Sequence, residues 1–307
     1  MRIIFHLGSY KTGTTSFQNM VFENRDLLSD QGVLYPRTGL TNEKDLGHRH
    51  TSLIWGYLSG KADACPDALL EELRGSHAHT AILSSEAWAH PGHLSHLIRL
   101  VTRLEDHGFS DHAAMLVLRN LPDYQVSHYR EFTVNRNNTG PYADYVRKRP
   151  NLFDYLLLTQ SFRAMFGPRL SVIPYTDGAD MTGRLFQRMG LGALHDRMEN
   201  VARANTKPFG PLEIEAIRCA KELKKPQADG LAALSSLLAE DDTLREATWT
   251  ERFADHVPAL PAAYRQRFQD AACWSTAEAE AIFREDGIEG RNVAGITAAL
   301  MDRLRAM

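Results

Sequence analysis

The first sixteen residues constrain this chain more than any other stretch. An apolar run, Arg2-Ile3-Ile4-Phe5-His6-Leu7, passes into Gly8-Ser9-Tyr10-Lys11-Thr12-Gly13-Thr14-Thr15-Ser16. Short apolar runs bounded by glycine form buried strands. Gly8 and Gly13 lack a Cβ, so the backbone between them can curl and turn N–H groups inward. Lys11 adds a mobile positive charge. Thr14, Thr15 and Ser16 add hydroxyls at the first turn of a predicted helix, where unpaired N–H groups and the helix dipole favour an anion. Phe17, Met20, Val21, Leu27 and Leu28 continue at helical spacing, and Gln31-Gly32 stops the helix. Strand, loop and helix in that order make a cradle for a compact tetrahedral anion, such as the end of a nucleotide.

The loop is not that of an ATP or GTP binder, in which lysine follows the second glycine. Here Lys11 precedes Gly13 by two positions. The order Lys11-Thr12-Gly13-Thr14-Thr15 resembles the 5′-phosphosulfate loop of the sulfotransferases, enzymes that draw a sulfuryl group from 3′-phosphoadenosine 5′-phosphosulfate (PAPS). The resemblance implies that Lys11, Thr12, Gly13, Thr14, Thr15 and Ser16 hold the 5′ end of the donor. It also implies that Lys11 stabilises the leaving phosphate oxygen.

A second apolar run, Ala113 to Leu118, reads as another buried strand with Arg119 at its end. Asn120 and Pro122 suit the start of a helix, and Ser127 follows Arg119 by about two helical turns. The family holds the donor's 3′-phosphate with an arginine and a serine at this spacing, which implies that role for Arg119 and Ser127. Leu170 to Tyr175 reads as a further strand. The resemblance implies that Tyr175 lies near the adenine, although Tyr175-Thr176-Asp177 lacks the acidic residue that the family often carries directly after the tyrosine. Gly287-Ile288-Glu289-Gly290-Arg291 is compared with a late basic-glycine loop that closes on the 3′-phosphate in some members. It lacks their Arg-Lys-Gly form, and only Arg291 carries over.

Transfer to a hydroxyl needs a group that takes the acceptor's proton. Glu86 follows the strand-like run Thr80 to Ser85, whose end is expected on the same rim, with Trp88 and Pro91 nearby to lower the local polarity. His48 and His50, in the loop Gly47-His48-Arg49-His50, are the alternatives. His93 and His96 stand three apart, but no third ligand occurs at diagnostic spacing and no H-E-x-x-H is present, so no metal is expected.

Strands are expected at about 2–7, 79–84, 113–119 and 169–175. Helices are expected at 14–30, 66–75, 92–107, 121–136, 152–166 and 181–189. Such alternation gives an α/β fold with a parallel sheet flanked by helices, and ligands then sit beyond the C-terminal strand ends. Gly8, Arg119 and Tyr175 all fall at such ends. The resemblance implies the P-loop NTPase-like architecture of the sulfotransferases for residues 1–205. After the breaker-rich joint Lys207-Pro208-Phe209-Gly210-Pro211 the pattern is helical at 211–224, 230–239, 259–271 and 276–285, with a tail from Ala294. Residues 206–307 therefore read as a helical C-terminal extension packed on the core.

With 35 basic and 38 acidic residues the net charge is −3, which predicts no nucleic-acid partner. Three cysteines without metal spacing fit a reducing compartment. No signal peptide or membrane span is expected, which favours a cytoplasmic enzyme. The reading is a PAPS-dependent sulfotransferase that acts on a small-molecule or glycan hydroxyl and leaves adenosine 3′,5′-bisphosphate. The alternative is a P-loop small-molecule kinase, which calls for lysine directly before Ser or Thr and a Mg²⁺-holding acid at a strand end. A non-catalytic nucleotide switch would show a base-reading N-K-x-D, which Asn42-Glu43-Lys44-Asp45 only superficially resembles.

Overall fold

The computed structural model describes residues 1–41, 48–54, 64–176, 178–199, 209–240, 262–284 and 294–307. Five strands make one sheet: β1 (Arg2–His6), β2 (Val33–Leu34), β3 (Thr80–Ser84), β4 (His112–Leu118) and β5 (Leu170–Pro174). Their order is β2-β3-β1-β4-β5, and every pairing is parallel. Four of these strands match the expected ones within a residue or two. β2 was not expected, because two residues are too few for any periodicity to register.

A parallel sheet is covered on both faces, so its strands read as continuous apolar runs. Every residue of β3 and of β4 is buried. The helices of the first half are α1 (Thr14–Glu23), α2 (Arg25–Asp30), α3 (Ala64–Gly75), α4 (Leu94–Asp106), α5 (Leu121–Asn135), α6 (Tyr142–Arg147), α7 (Tyr155–Phe166), α8 (Met181–Met189) and α9 (Gly192–His195). Against one face of the sheet, Ile4, Ile82, Met115, Val117 and Ile173 pack with Phe17 and Val21 of α1 and with Met181, Leu185 and Phe186 of α8. Strand residues alternate between faces. Phe5 therefore points the other way, and meets Trp88, Phe166 and His112 at ring-centroid distances of 5.6, 5.5 and 5.8 Å.

The single helix expected over 14–30 is two helices. Asn24 separates α1 from α2, and its side chain is the reason. The Asn24 amide donates to Met20 O at 2.9 Å and to Glu199 O at 3.2 Å, while its Oδ1 accepts from Glu199 N at 2.9 Å. An asparagine that satisfies backbone groups of two segments competes with the helical ladder. Gly32 ends α2 as expected, in a left-handed conformation with φ +70°.

Every described element after β5 is helical. Beyond α9 these are α10 (Pro211–Glu222), α11 (Gln227–Glu240), α12 (Ala262–Ala272), α13 (Thr276–Ile282) and α14 (Ala294–Ala306). The chain forms two compact units, and residues on both sides of position 205 contribute to each. The first holds Met1–Asn120, Asp154–Ala204 and Ala263–Ile282, and so contains the sheet. Within it, Trp274 Nε1 donates to Val172 O of β5 at 2.8 Å and Arg163 Nε donates to Ala271 O at 3.1 Å, so the α12–α13 segment is built into the sheet's own unit.

The second unit holds Leu121–Phe153, Asn205–Ala262 and Phe283–Met307. Its core is Leu212, Ala216 and Cys219 of α10, Leu234 and Leu237 of α11, and Ile296, Leu300 and Leu304 of α14. The Lys221 ammonium donates to the carbonyls of Thr133, Val134 and Arg136 at 2.6, 2.8 and 2.6 Å, which places a cation at the negative end of α5.

Candidate active site

Because the strands are parallel, His6, Ser84, Leu118 and Pro174 all end on one edge of the sheet. The ends are stepped. His6 pairs with Met115, so β4 runs three residues, about 10 Å, past β1. The loop from Gly8 to Gly13 climbs this step. A Cβ on Gly13 would lie 4.0 Å from Tyr175 Cε2 and 4.0 Å from Met181 Cβ, which puts the start of α1 beside the end of β5.

The loop's shape is set by three left-handed residues: Gly8 at φ +59°, Lys11 at φ +67° and Gly13 at φ +79°. Gly8 has no room for a side chain, since a Cβ there would stand 2.6 Å from Thr14 Cγ2 and 3.2 Å from Glu86 Cβ. Lys11 adopts a conformation that costs a non-glycine residue about 1 kcal/mol or more. Thr12 is buried and its hydroxyl donates to Ser9 O at 2.7 Å, so it closes the loop from within. Thr14 is also buried, Ser16 half-buried, and Lys11, Gly13 and Thr15 are exposed. Gly13 caps α1 without a side chain, and the first turn of α1 carries no acid. The positive end of that helix is therefore left to its own backbone N–H groups, as an anion cradle requires.

Arg119 follows the last residue of β4. Its guanidinium carbon lies 5.4 Å from the centroid of the Tyr175 ring, within cation–π reach. Both residues are anchored through their backbones. Tyr175 N donates to Leu118 O at 2.8 Å, and Arg119 O accepts from the Tyr155 hydroxyl at 2.9 Å. The loop, Arg119 and Tyr175 thus follow three neighbouring strands, β1, β4 and β5, on one edge of the sheet. Ser127 lies half-buried on α5, in the second unit. Arg291, Asp177 and the segment Asn42 to Asp45 lie outside the described residues.

Glu86 opens a 3-10 turn, Glu86–Ala89, directly after β3, and stands beside Gly8. The sequence suggested an apolar setting for its carboxylate. The structure instead gives it two donors: Arg49 on Oε1, and Gln18 Nε2 on Oε2 at 3.0 Å. Trp88 turns away to pack edge-on against Phe5.

The two histidines do not stand ready at this site. His50 is fully buried; its Nδ1 accepts from Ser84 N at 3.1 Å and its Nε2 donates to Pro36 O at 2.9 Å. Burial pushes its pKa down to about 4, and both ring nitrogens are engaged in holding β3 to the segment at Pro36. The His48 ring stacks on Phe22 at 3.3 Å and lies 4.0 Å from the Glu23 carboxylate. Those residues close α1, about 12 Å along its axis from the loop. Partial burial lowers the His48 pKa.

Behind Glu86 lies a buried polar group that the sequence reading missed. Gln18 Nε2 also reaches Ser84 Oγ at 3.1 Å, and Ser84 Oγ lies 2.8 Å from His6 Nδ1. Burial drives the His6 pKa down to about 3, so its imidazole is neutral. The available signal was an amide at position 18 on the otherwise apolar face of Phe17 and Val21. Among the described residues no three His, Cys, Asp or Glu side chains are placed to hold a metal ion, and no helix is long and apolar enough to cross a membrane.

No family model matches the chain, and no curated protein matches it. Among solved structures, the crystal structure of a sulfotransferase from Alicyclobacillus acidocaldarius is similar to it, with a TM-score of 0.40 and 15% sequence identity. That likeness covers 80% of this chain and 99% of the other.

Proposed function

We propose that this protein is a sulfotransferase that takes a sulfuryl group from PAPS and passes it to a hydroxyl of a small metabolite or a carbohydrate. One observation carries the reading: the Lys11 loop, Arg119 and Tyr175 share one sheet edge, with the Arg119 guanidinium 5.4 Å from the Tyr175 ring and a Cβ on Gly13 able to reach that ring at 4.0 Å. A loop with an uncapped, acid-free helix start suits one anionic group, and an arginine beside an aromatic face suits a base with a second anionic group. A nucleotide with phosphates at both its 5′ and 3′ positions fits that pair.

When bound, the donor supplies the sulfuryl group and a bisphosphate leaving group. The loop N–H groups and Lys11 hold the 5′ end, and Lys11 balances the charge that grows on the leaving oxygen. Tyr175 lies against the adenine and Arg119 takes the 3′-phosphate. Glu86, beside Gly8, accepts the proton of the acceptor hydroxyl as that oxygen bonds to sulfur. The three free thiols fit a reducing, cytoplasmic setting.

Thermal shift with adenosine 3′,5′-bisphosphate, ATP-Mg²⁺ and GTP-Mg²⁺ tests the reading, because a ligand that binds only the folded state raises the melting point. The expected result is a clear rise with the bisphosphate, lost in Arg119→Ala. A rise with ATP-Mg²⁺ alone would point to a small-molecule kinase instead.

A further inference from the structure

We propose that Gln18 is a positioning residue for Glu86, aiming its carboxylate. This rests on the reading of Glu86 as proton acceptor. The hydrogen-bond directions follow from the groups themselves. An ionised carboxylate only accepts, so the Gln18 atom 3.0 Å from Glu86 Oε2 is the amide nitrogen. The second hydrogen of that nitrogen goes to Ser84 Oγ at 3.1 Å. Ser84 Oγ in turn lies 2.8 Å from His6 Nδ1. Gln18 thus divides its two N–H hydrogens between Ser84 and the Glu86 carboxylate.

Burial makes this network rigid. His6, Gln18 and Ser84 are 0% exposed and Glu86 is 5% exposed. Polar groups shut away from water hold their partners strongly, since losing one leaves the other unsatisfied. The network joins β1, α1 and β3, and α1 is the helix that starts at the anion loop. Gln18 thereby ties the carboxylate to the frame that carries Lys11, while Arg49 grips the opposite oxygen from another segment. Without Gln18, one oxygen of Glu86 loses its fixed donor and the carboxylate can swing about the Arg49 contact. A displacement of about 1 Å in a reacting group costs up to about a hundredfold in rate.

The test uses Gln18→Met, which keeps the length of the side chain and removes the donor. With PAPS and an acceptor found by screening, kcat should fall about 10- to 100-fold while KM for PAPS stays within about twofold. Affinity for adenosine 3′,5′-bisphosphate should stay within about twofold, which a general collapse of the site would not allow. Full rate, or a loss confined to KM, overturns the role of Gln18. Full rate in Glu86→Gln overturns the base reading beneath it. A second measurement needs neither nucleotide nor turnover: the Gln18 side-chain amide should appear in ¹⁵N NMR spectra as a slowly exchanging pair that shifts in Glu86→Gln. A fast-exchanging pair, unmoved by that substitution, overturns the contact itself.

Discussion

Replacing Gly8 by alanine probes the loop where its geometry is tightest. The residue sits at φ +59°, and an added Cβ would stand 2.6 Å from Thr14 Cγ2, 3.2 Å from Glu86 Cβ and 3.4 Å from Glu86 Cα. The left-handed backbone costs alanine about 1–2 kcal/mol. The clash adds about 1–3 kcal/mol, because Thr14 is β-branched, stiff at χ1 and buried, so its methyl cannot simply swing aside. A stiffer unfolded chain returns about 0.5–1 kcal/mol. The net loss is about 1–4.5 kcal/mol. Gly13→Ala supplies the control. Its φ is +79°, but the nearest atoms to a new Cβ are 4.0 Å away, so only the conformational cost applies, about 1–2 kcal/mol less the same return of about 0.5–1 kcal/mol. Urea unfolding followed by circular dichroism measures both. Equal losses in the two variants, or a Gly8→Ala protein as stable as the parent, would refute the packing of Gly8 against Thr14 and Glu86.

Two further outcomes concern stability. His6 and His50 are buried and neutral, with pKa values near 3 and 4, whereas unfolded histidine titrates near its ordinary value of 6.5. Below that value unfolding takes up protons, so stability falls as pH drops, by about 3 kcal/mol between pH 6.5 and 5 for the two together, and is unaffected by them above pH 7. Urea midpoints across that range check it, and a flat profile would contradict it. In the second unit, Arg218 is buried and donates to both Glu215 oxygens at 2.9 and 2.6 Å. Arg218→Ala leaves that carboxylate buried without its partner and should cost about 3–5 kcal/mol, while Arg218→Met with Glu215→Leu should recover most of it. A single variant that unfolds like the parent would show that the pair carries no weight.

The sheet was legible because parallel strands buried on both faces print as unbroken apolar runs, as Ile3 to Leu7 and Ala113 to Leu118 do. The loop was legible because glycines at 8 and 13 punctuate it. What the sequence hid are features made by distant residues. Asn24 breaks a helix through Glu199, and α12 and α13 join the sheet's unit through Trp274 and Ala271. His50 looked like a loop base and is instead a buried strut between Pro36 and Ser84. The surroundings of Glu86 were misread for the same reason: local neighbours Trp88 and Pro91 suggested an apolar pocket, while Arg49 and Gln18 come from elsewhere in the chain. Periodicity reports which face of an element is buried, not which polar group meets it there.

The claim that one nucleotide spans both the loop and Arg119 is tested most directly by calorimetry with dissected ligands. Adenosine 3′,5′-bisphosphate should bind at one site per chain, and Lys11→Ala and Arg119→Ala should each weaken it. Adenosine 5′-monophosphate should be sensitive to Lys11→Ala but nearly blind to Arg119→Ala, and adenosine 3′-monophosphate should show the reverse. Bisphosphate binding that ignores either substitution, or no binding at all, would contradict the account.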